Sequence, residues 1–213
     1  VMVAVFSSIL DMRGAGIENF SVYLIIGQLL FSFFSEATSS CMSSMLAAAP
    51  LIKKVYIPKY IFPLEKAGFA LVNCLIIVMI FTGAPLHPTA ILAVYPLLTL
   101  FVFSLGIGLI LAAATVFFRD IIHLWGVFIT ALMYFSAIFY DPFTMGGSGG
   151  AILQRFIGYN PMYWYITAFR AAVLDGELLS WNMIWVCGLC AILALAAGLF
   201  VFRKEQDKFV LHI

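Results

Sequence analysis

Long uncharged apolar runs alternate along the chain with short charged breaks, and the spacing of the breaks predicts the elements. Glu18 and Lys53 enclose 34 residues whose one ionisable group is Glu36. Runs without Asp, Glu, Lys or Arg follow over 67–86 (20 residues), 88–118 (31), 121–140 (20) and 178–202 (25). A helix that crosses a bilayer needs about 20 predominantly apolar residues. Trimmed at their Gly, Pro and charged edges, the runs predict full spans over 21–49, 64–84, 89–117, 121–140 and 180–202. The opening VMVAVFSSIL (1–10) has half that length and reads as a partial span, the tail of a first helix.

Residues 141–177 break the pattern. They open with DPFTMGGSGG, in which GGSGG (146–150) has the composition of a flexible linker and no helix-forming pattern. Two apolar pieces follow, 151–159 and 161–175, each too short to span alone, as in a re-entrant or interfacial segment. Charge parity tests this independently. If 141–177 returns to the face it left, then Lys53, Lys54, Lys59, Lys66, Arg119, Arg203, Lys204 and Lys208 share one side, against Arg13, Arg155 and Arg170 on the other. The positive-inside rule makes the richer side cytoplasmic and places the C-terminus there. The whole chain, 1–213, reads as one transmembrane domain.

Composition agrees with this reading: 64% of residues are hydrophobic, 10% are charged and the mean hydropathy is +1.11. A net charge of +1 leaves no basic face to neutralise a phosphate backbone, so nucleic acid is not expected as a partner. Cys41, Cys74, Cys187 and Cys190 all lie in apolar runs and read as packing residues. The C-x-x-C of Cys187 and Cys190 has no second pair or histidine nearby, so no metal site is assigned.

One short stretch is unlike its surroundings. LIKKVYIPKYIFPLEKA (51–67) puts four lysines, a glutamate and two prolines between two spans on the cytoplasmic side. Pro58 and Pro63 disfavour helix at Ile57 and Phe62, so a short helix near 50–57 is expected, then a break, then a new helix with Pro63 in its first turn. Two readings stay open on the residues alone: a basic loop facing anionic lipid, or a compact apolar and cationic surface for a partner protein.

This stretch resembles the cytoplasmic coupling helix of the permease subunits of type 2 ABC exporters, those that export lipid-linked polysaccharide: the O-antigen (Wzm) and teichoic-acid (TarG) permeases. LIIGQLLFSFFSEATSS (24–40) is similar to that family's second helix, FFRDI (117–121) to its second cytoplasmic turn, IFYDP (138–142) to the end of its fifth helix and YNPMYWYITAFRAAVLDG (159–176) to its outer re-entrant segment. The Glu65–Lys66 pair departs from the family pattern. The resemblance implies an all-α integral membrane fold: a six-helix exporter domain whose first helix is partly missing, with a coupling helix over 50–62 and an outer re-entrant region over 141–177. It also implies a bacterial cytoplasmic (inner) membrane location, a second copy of the chain as homodimer partner, and a separate nucleotide-binding subunit that binds ATP and Mg. The chain itself carries no G-x-x-x-x-G-K-S/T with which to hold nucleotide phosphates, and no cofactor is expected in it.

Site residues follow from the same resemblance. Lys53, Lys54, Val55, Tyr56, Ile57, Pro58 and Lys59 are expected to dock the ATPase. Arg119 and Asp120 are expected to make a second contact, against the simpler reading of a charged helix end. For the pathway of a lipid-linked glycan, aromatic faces that stack on sugar rings are candidates: Tyr134, Phe135, Phe139, Tyr140, Tyr163 and Trp164. An ordinary aromatic belt at the headgroups is the competing reading. Glu36, an ionisable group inside a span, lines a conduit or holds a structural partner. Arg170 meets a phosphate of the substrate or snorkels to outer headgroups. The alternatives are a type 2 ABC permease for a small drug or lipid, or a membrane enzyme of glycan assembly. An enzyme would need clustered acids or histidines, but Asp11, Glu18, Asp141, Asp175 and Glu177 are scattered and His87, His123 and His212 fall on two faces, so no catalytic set is assigned.

Overall fold

A computed structural model describes residues 20–52, 54, 57–81, 88–139 and 157–209, and over these the chain is all helical. Helix α1 runs Phe20–Ala47, α2 is the single turn Ala49–Ile52, and α3 runs Ile61–Phe81. A 3-10 segment, Pro88–Ala93, leads into α4, Val94–Phe117. Helix α5 is Ile121–Phe135, α6 is Pro161–Arg170 continued by a π turn Ala171–Asp175, and α7 is Trp181–Glu205 followed by a 3-10 turn, Gln206–Lys208.

Four of these helices are long and apolar enough to cross a membrane: Val22–Ala47, Ile61–Val78, Ile91–Phe117 and Trp181–Glu205. They coincide with the uncharged runs because hydrocarbon leaves backbone groups no partner except their own helix. The hydroxyls inside them follow the same rule. Thr38 donates to Phe34 O at 2.8 Å, Ser104 to Leu100 O at 2.7 Å and Thr115 to Leu111 O at 2.7 Å.

Helix α4 is central. It packs on α7 along one side and on α1 along the other, while α3 lies against α1. Small residues allow the α4–α7 contact: a Cβ placed on Gly106 would lie within 3.0 Å of the Ala194 and Leu195 backbone, and one on Gly198 would strike Gly106. Gly108 leaves room in the same way for Cys41 of α1. This is the close backbone approach that drives helix association where lipid removes the hydrophobic contribution. The outward faces of α3 and α7 expose Phe69, Val72, Ile76, Trp185, Ile192 and Phe200.

Two apolar clusters mark the ends of the bundle. At the lysine-rich end Met45, Leu109, Val116, Phe202 and Phe209 gather with Ile52 and Phe62. At the opposite end Ile26, Leu97, Ile138, Tyr165 and Cys187 gather. Segment 157–177 belongs wholly to the second end. Asn160 bonds the Phe135–Ser136 corner, the Tyr165 hydroxyl donates to Cys187 O at 2.8 Å, and the π turn packs on the 3-10 segment before α4. Gly176, at φ 65°, closes the turn, where Glu177 N donates to Ala171 O at 3.1 Å.

Two elements differ from the sequence expectation. Helix α5 ends at Phe135, five residues short of the expected span 121–140, and Tyr140 lies outside the described residues. The cause is a corner. Ser136 Oγ donates to Leu132 O, Ala137 adopts a left-handed φ of 49°, and Asn160 Nδ2 supplies Phe135 O with the donor that a further helical turn would have provided. Among the described residues of the coupling segment expected over 50–62, one helical turn, α2, precedes the start of α3. Lys54 follows in a turn, Ile57 and Pro58 are non-helical, and α3 begins at Ile61 with Pro63 as its third residue. Lys53, Val55 and Tyr56 lie outside the described residues. Pro63 suits that place because the first turn of a helix needs no N–H donor.

Candidate functional site

Six polar residues of α1 lie on one face. Gln28, Ser32, Ser35, Glu36, Ser39 and Ser40 fall at i, i+4, i+7, i+8, i+11 and i+12, which a 3.6-residue period brings into line. Together with Phe31 and with Ile129, Thr130 and Met133 of α5 they line a groove of about 490 Å³. Glu36 is exposed in it, and its Oε1 accepts from Asn73 Nδ2 of α3 at 3.3 Å. A second, apolar hollow of about 270 Å³ adjoins the groove, formed by Leu24, Ile25, Leu29, Ile77 and Phe139, and shares Gln28 and Ser32 with it. Gln28 Nε2 donates to Ser32 Oγ at 3.3 Å while its Oε1 is buried without a partner among the described residues. Hydroxyl, amide and carboxylate groups thus face one side of a membrane-length helix beside an apolar recess. Hydroxyl, amide and carboxylate groups of this kind are donors and acceptors that suit a hydroxyl-rich molecule. Among the described residues no three of His, Cys, Asp and Glu gather as metal ligands.

The expected pathway residues divide. Glu36 lines the groove and Phe139 lines the apolar hollow. Tyr134 is exposed on α5 with its ring 6.4 Å from that of Phe139, and Phe135 is exposed beside it. Tyr163 and Trp164 pair edge to face at 5.8 Å on α6, away from the groove, and Trp164 Nε1 donates to Gly158 O at 2.8 Å.

Arg170, expected at a substrate phosphate or at outer headgroups, is held inside the bundle. It is 5% exposed, and its guanidinium donates to Tyr23 O at 3.0 Å, Ile138 O at 3.2 Å and Ala137 O at 3.4 Å, stacked 3.4 Å from the Tyr23 ring centroid. It therefore ties the start of α1 to the left-handed corner after α5. A strained backbone persists where its surroundings over-determine it. Gly27 leaves the space that the guanidinium fills.

On the lysine-rich end, Lys54, Pro58, Arg119 and Asp120 are exposed and Ile57 is half-buried. Asp120 precedes α5 without capping it through its side chain. Lys59 faces inward. Its ammonium donates to Gln206 O at the end of α7 and lies 5.8 Å from the centre of the Phe209 ring. The Glu65–Lys66 pair is a solvent-exposed contact at 3.3 Å, of a kind worth little.

Sequence reasoning missed Gln28, Ser32 and Ser40 in the groove, although their helical spacing with Glu36 was readable. It also missed Asn160, whose side chain accepts from Met162 N at 3.0 Å to cap α6; an Asn directly before a Pro that opens an apolar stretch is a helix-start signal.

Four apolar helices of spanning length describe a multi-pass membrane protein, with a polar groove along one helix and a cationic loop at one end. The comparisons with known proteins agree. The chain is similar to the O-antigen export system permease protein RfbA of Klebsiella pneumoniae, 26% identical over 203 residues that cover 91% of this chain and 75% of that protein. A second Klebsiella pneumoniae protein of the same name is 25% identical over the same shares. The Myxococcus xanthus protein of that name is 23% identical over 199 residues, 91% of this chain and 76% of its own. No family model matches the chain. The resemblance to O-antigen export permeases thus runs through nearly the whole chain, not just its lysine–proline stretch.

Proposed function

We propose that this chain is the transmembrane permease of an ATP-driven exporter that moves a lipid-linked polysaccharide of the O-antigen kind across the bacterial cytoplasmic membrane. The observation that carries the reading is the similarity over 91% of the chain to permeases of O-antigen export. Energy comes from a separate nucleotide-binding subunit that binds ATP and Mg, and two copies of the chain flank the pathway. The C-terminus and the lysine-rich loop face the cytoplasm, which the eight cations of that end support. The loop, with Lys53, Lys54, Val55, Tyr56, Ile57 and Pro58, meets the ATPase, and Arg119 and Asp120 flank the contact. ATP-driven closure of the ATPase pair moves the loop and changes the gap between the two permeases. The α1 groove with Glu36, and the aromatic rings of Tyr134, Phe135, Phe139 and Tyr140, form a wall along which the glycan passes. Tyr163 and Trp164, away from the groove on α6, meet the glycan where it leaves the bundle.

Co-purification tests this. The permease and its candidate ATPase are expressed together and captured in detergent, as wild type, Lys54→Glu and Tyr56→Ala. Stable capture that either substitution weakens supports the reading. Absence of any captured ATPase in the wild type defeats it, and equal capture by all three reduces the lysines to positive-inside charge.

A further inference from the structure

We infer that Lys59 is a positioning residue, not an ATPase contact: it fastens the cytoplasmic loop to the C-terminal end of α7, so that residues 206–209 are part of the element through which the loop moves the bundle. The inference rests on the function proposed above, and it reassigns one residue that the family resemblance places in the docking surface.

Lys59 reaches across 147 positions of sequence to donate to Gln206 O. Gln206 caps α7 at the negative end of the helix dipole, and its carbonyl, which also accepts the Phe209 N–H that closes the 3-10 turn, takes the ammonium on its second lone pair. An ammonium is the group that place favours. The same ammonium lies over the ring of Phe209, adding attraction from the ring face. Phe209 itself is fully buried, its ring 5.3 Å from Phe202 of α7 and 6.0 Å from Phe117 at the end of α4. One aromatic residue beyond the last long helix is therefore the point where the loop, α4 and α7 meet. Lys54, Arg203, Lys204 and Lys208 are exposed, whereas Lys59 is half-buried with its ammonium on the end of α7. A push on the loop then acts on α7, which runs to the opposite end of the bundle and there bonds α6 through Cys187 O and the Tyr165 hydroxyl.

The test uses the full permease, alone and with its ATPase, as wild type, Lys59→Met, Lys59→Arg and Phe209→Leu. In detergent, tryptic cleavage after Lys204 and Lys208 reports how often the C-terminal segment opens. Losing a hydrogen bond from a charged donor raises that open population, so cleavage of Lys59→Met runs roughly tenfold faster than wild type. Lys59→Arg, which can still reach a carbonyl and lie on a ring, returns near to wild type, and Phe209→Leu falls between. In the complex, Lys59→Met keeps its ATPase within about twofold, because a partner contact elsewhere on the loop is untouched, while polysaccharide export drops. Unchanged cleavage overturns the inference, as does lost ATPase capture with normal cleavage, which returns Lys59 to the docking surface. Faster cleavage with normal export overturns the positioning role. A wild type that captures no ATPase defeats the proposed function instead, and the cleavage rates still decide whether Lys59 fastens the loop.

Discussion

Gly106→Ala isolates the contact on which the bundle turns. A Cβ at position 106 would stand 2.5 Å from Leu195 N and closer still to the Ala194 carbonyl, whereas ordinary contact begins at 3.4 Å. The atoms it meets are backbone and cannot rotate aside, so α4 and α7 must part by about 0.9 Å at their crossing. A gap of that size forfeits a quarter to a half of each dispersion contact around it. Overpacking costs about 3 kcal/mol at a site that cannot relax, and the better helix propensity of alanine returns up to about 1 kcal/mol. The net loss is about 2 kcal/mol, which for a chain of this length lowers the apparent melting temperature by about 4–8 °C. Tryptophan fluorescence during heating in detergent at a fixed scan rate reads it, with Trp181 and Trp185 on α7 and Trp125 on α5 as reporters. Gly68→Ala on α3 is the internal control: nothing lies within 4 Å of the added atom, so the same chemical change stabilises by about 0.4–1 kcal/mol. Gly106→Ala melting at or above wild type, or Gly68→Ala falling by as much, would refute the steric account of the α4–α7 crossing.

Arg170→Met leaves the carbonyls of Tyr23, Ala137 and Ile138 without their donor and is expected to cost about 3 kcal/mol, with Arg170→Lys intermediate, measured by the same melt. If Arg170 served only headgroups, both variants would melt like wild type. Glu36→Gln keeps the acceptor for Asn73 at an exposed position and stays within about 0.5 kcal/mol of wild-type stability. Glu36→Arg places a cation in the groove and is expected to lower polysaccharide export without changing the melt; unchanged export would remove Glu36 from the pathway.

Helices α1, α3, α4 and α7 were legible because an apolar run of 20 or more residues with at most one charge leaves few other solutions in hydrocarbon. The polar face of α1 was legible in principle, since its spacing is written in the chain, but serines in a span read as neutral until they share one side. Arg170 shows the limit. Its charge in an apolar segment stood out, yet its acceptors at 23 and 137–138 exist only because Ala137 turns a corner that sequence pattern does not announce. Lys59 is a second case: the lysine–proline stretch announced a cationic loop, but nothing local told which lysine would turn inward toward a carbonyl 147 residues away. Pro58 and Pro63 located the break in the loop, while the length of the helix before it depended on context beyond the prolines.

The shortness of α5 has an electrostatic consequence. Fifteen residues of helix rise about 22 Å, against about 30 Å of hydrocarbon in an ordinary bilayer. A helix of that length, set across a bilayer with the Arg119–Asp120 turn at one surface, would leave the corner after Phe135 several ångströms beneath the other. Lipid beside such a helix thins to meet it, or water enters above the corner. Either way the low-dielectric slab is narrowest along the helix that borders the polar groove. A hydroxyl group taken out of water loses its hydrogen bonds for as long as no partner replaces them, and a thinner slab shortens that stretch. A bundle seated in that way would make a thin place in its own membrane.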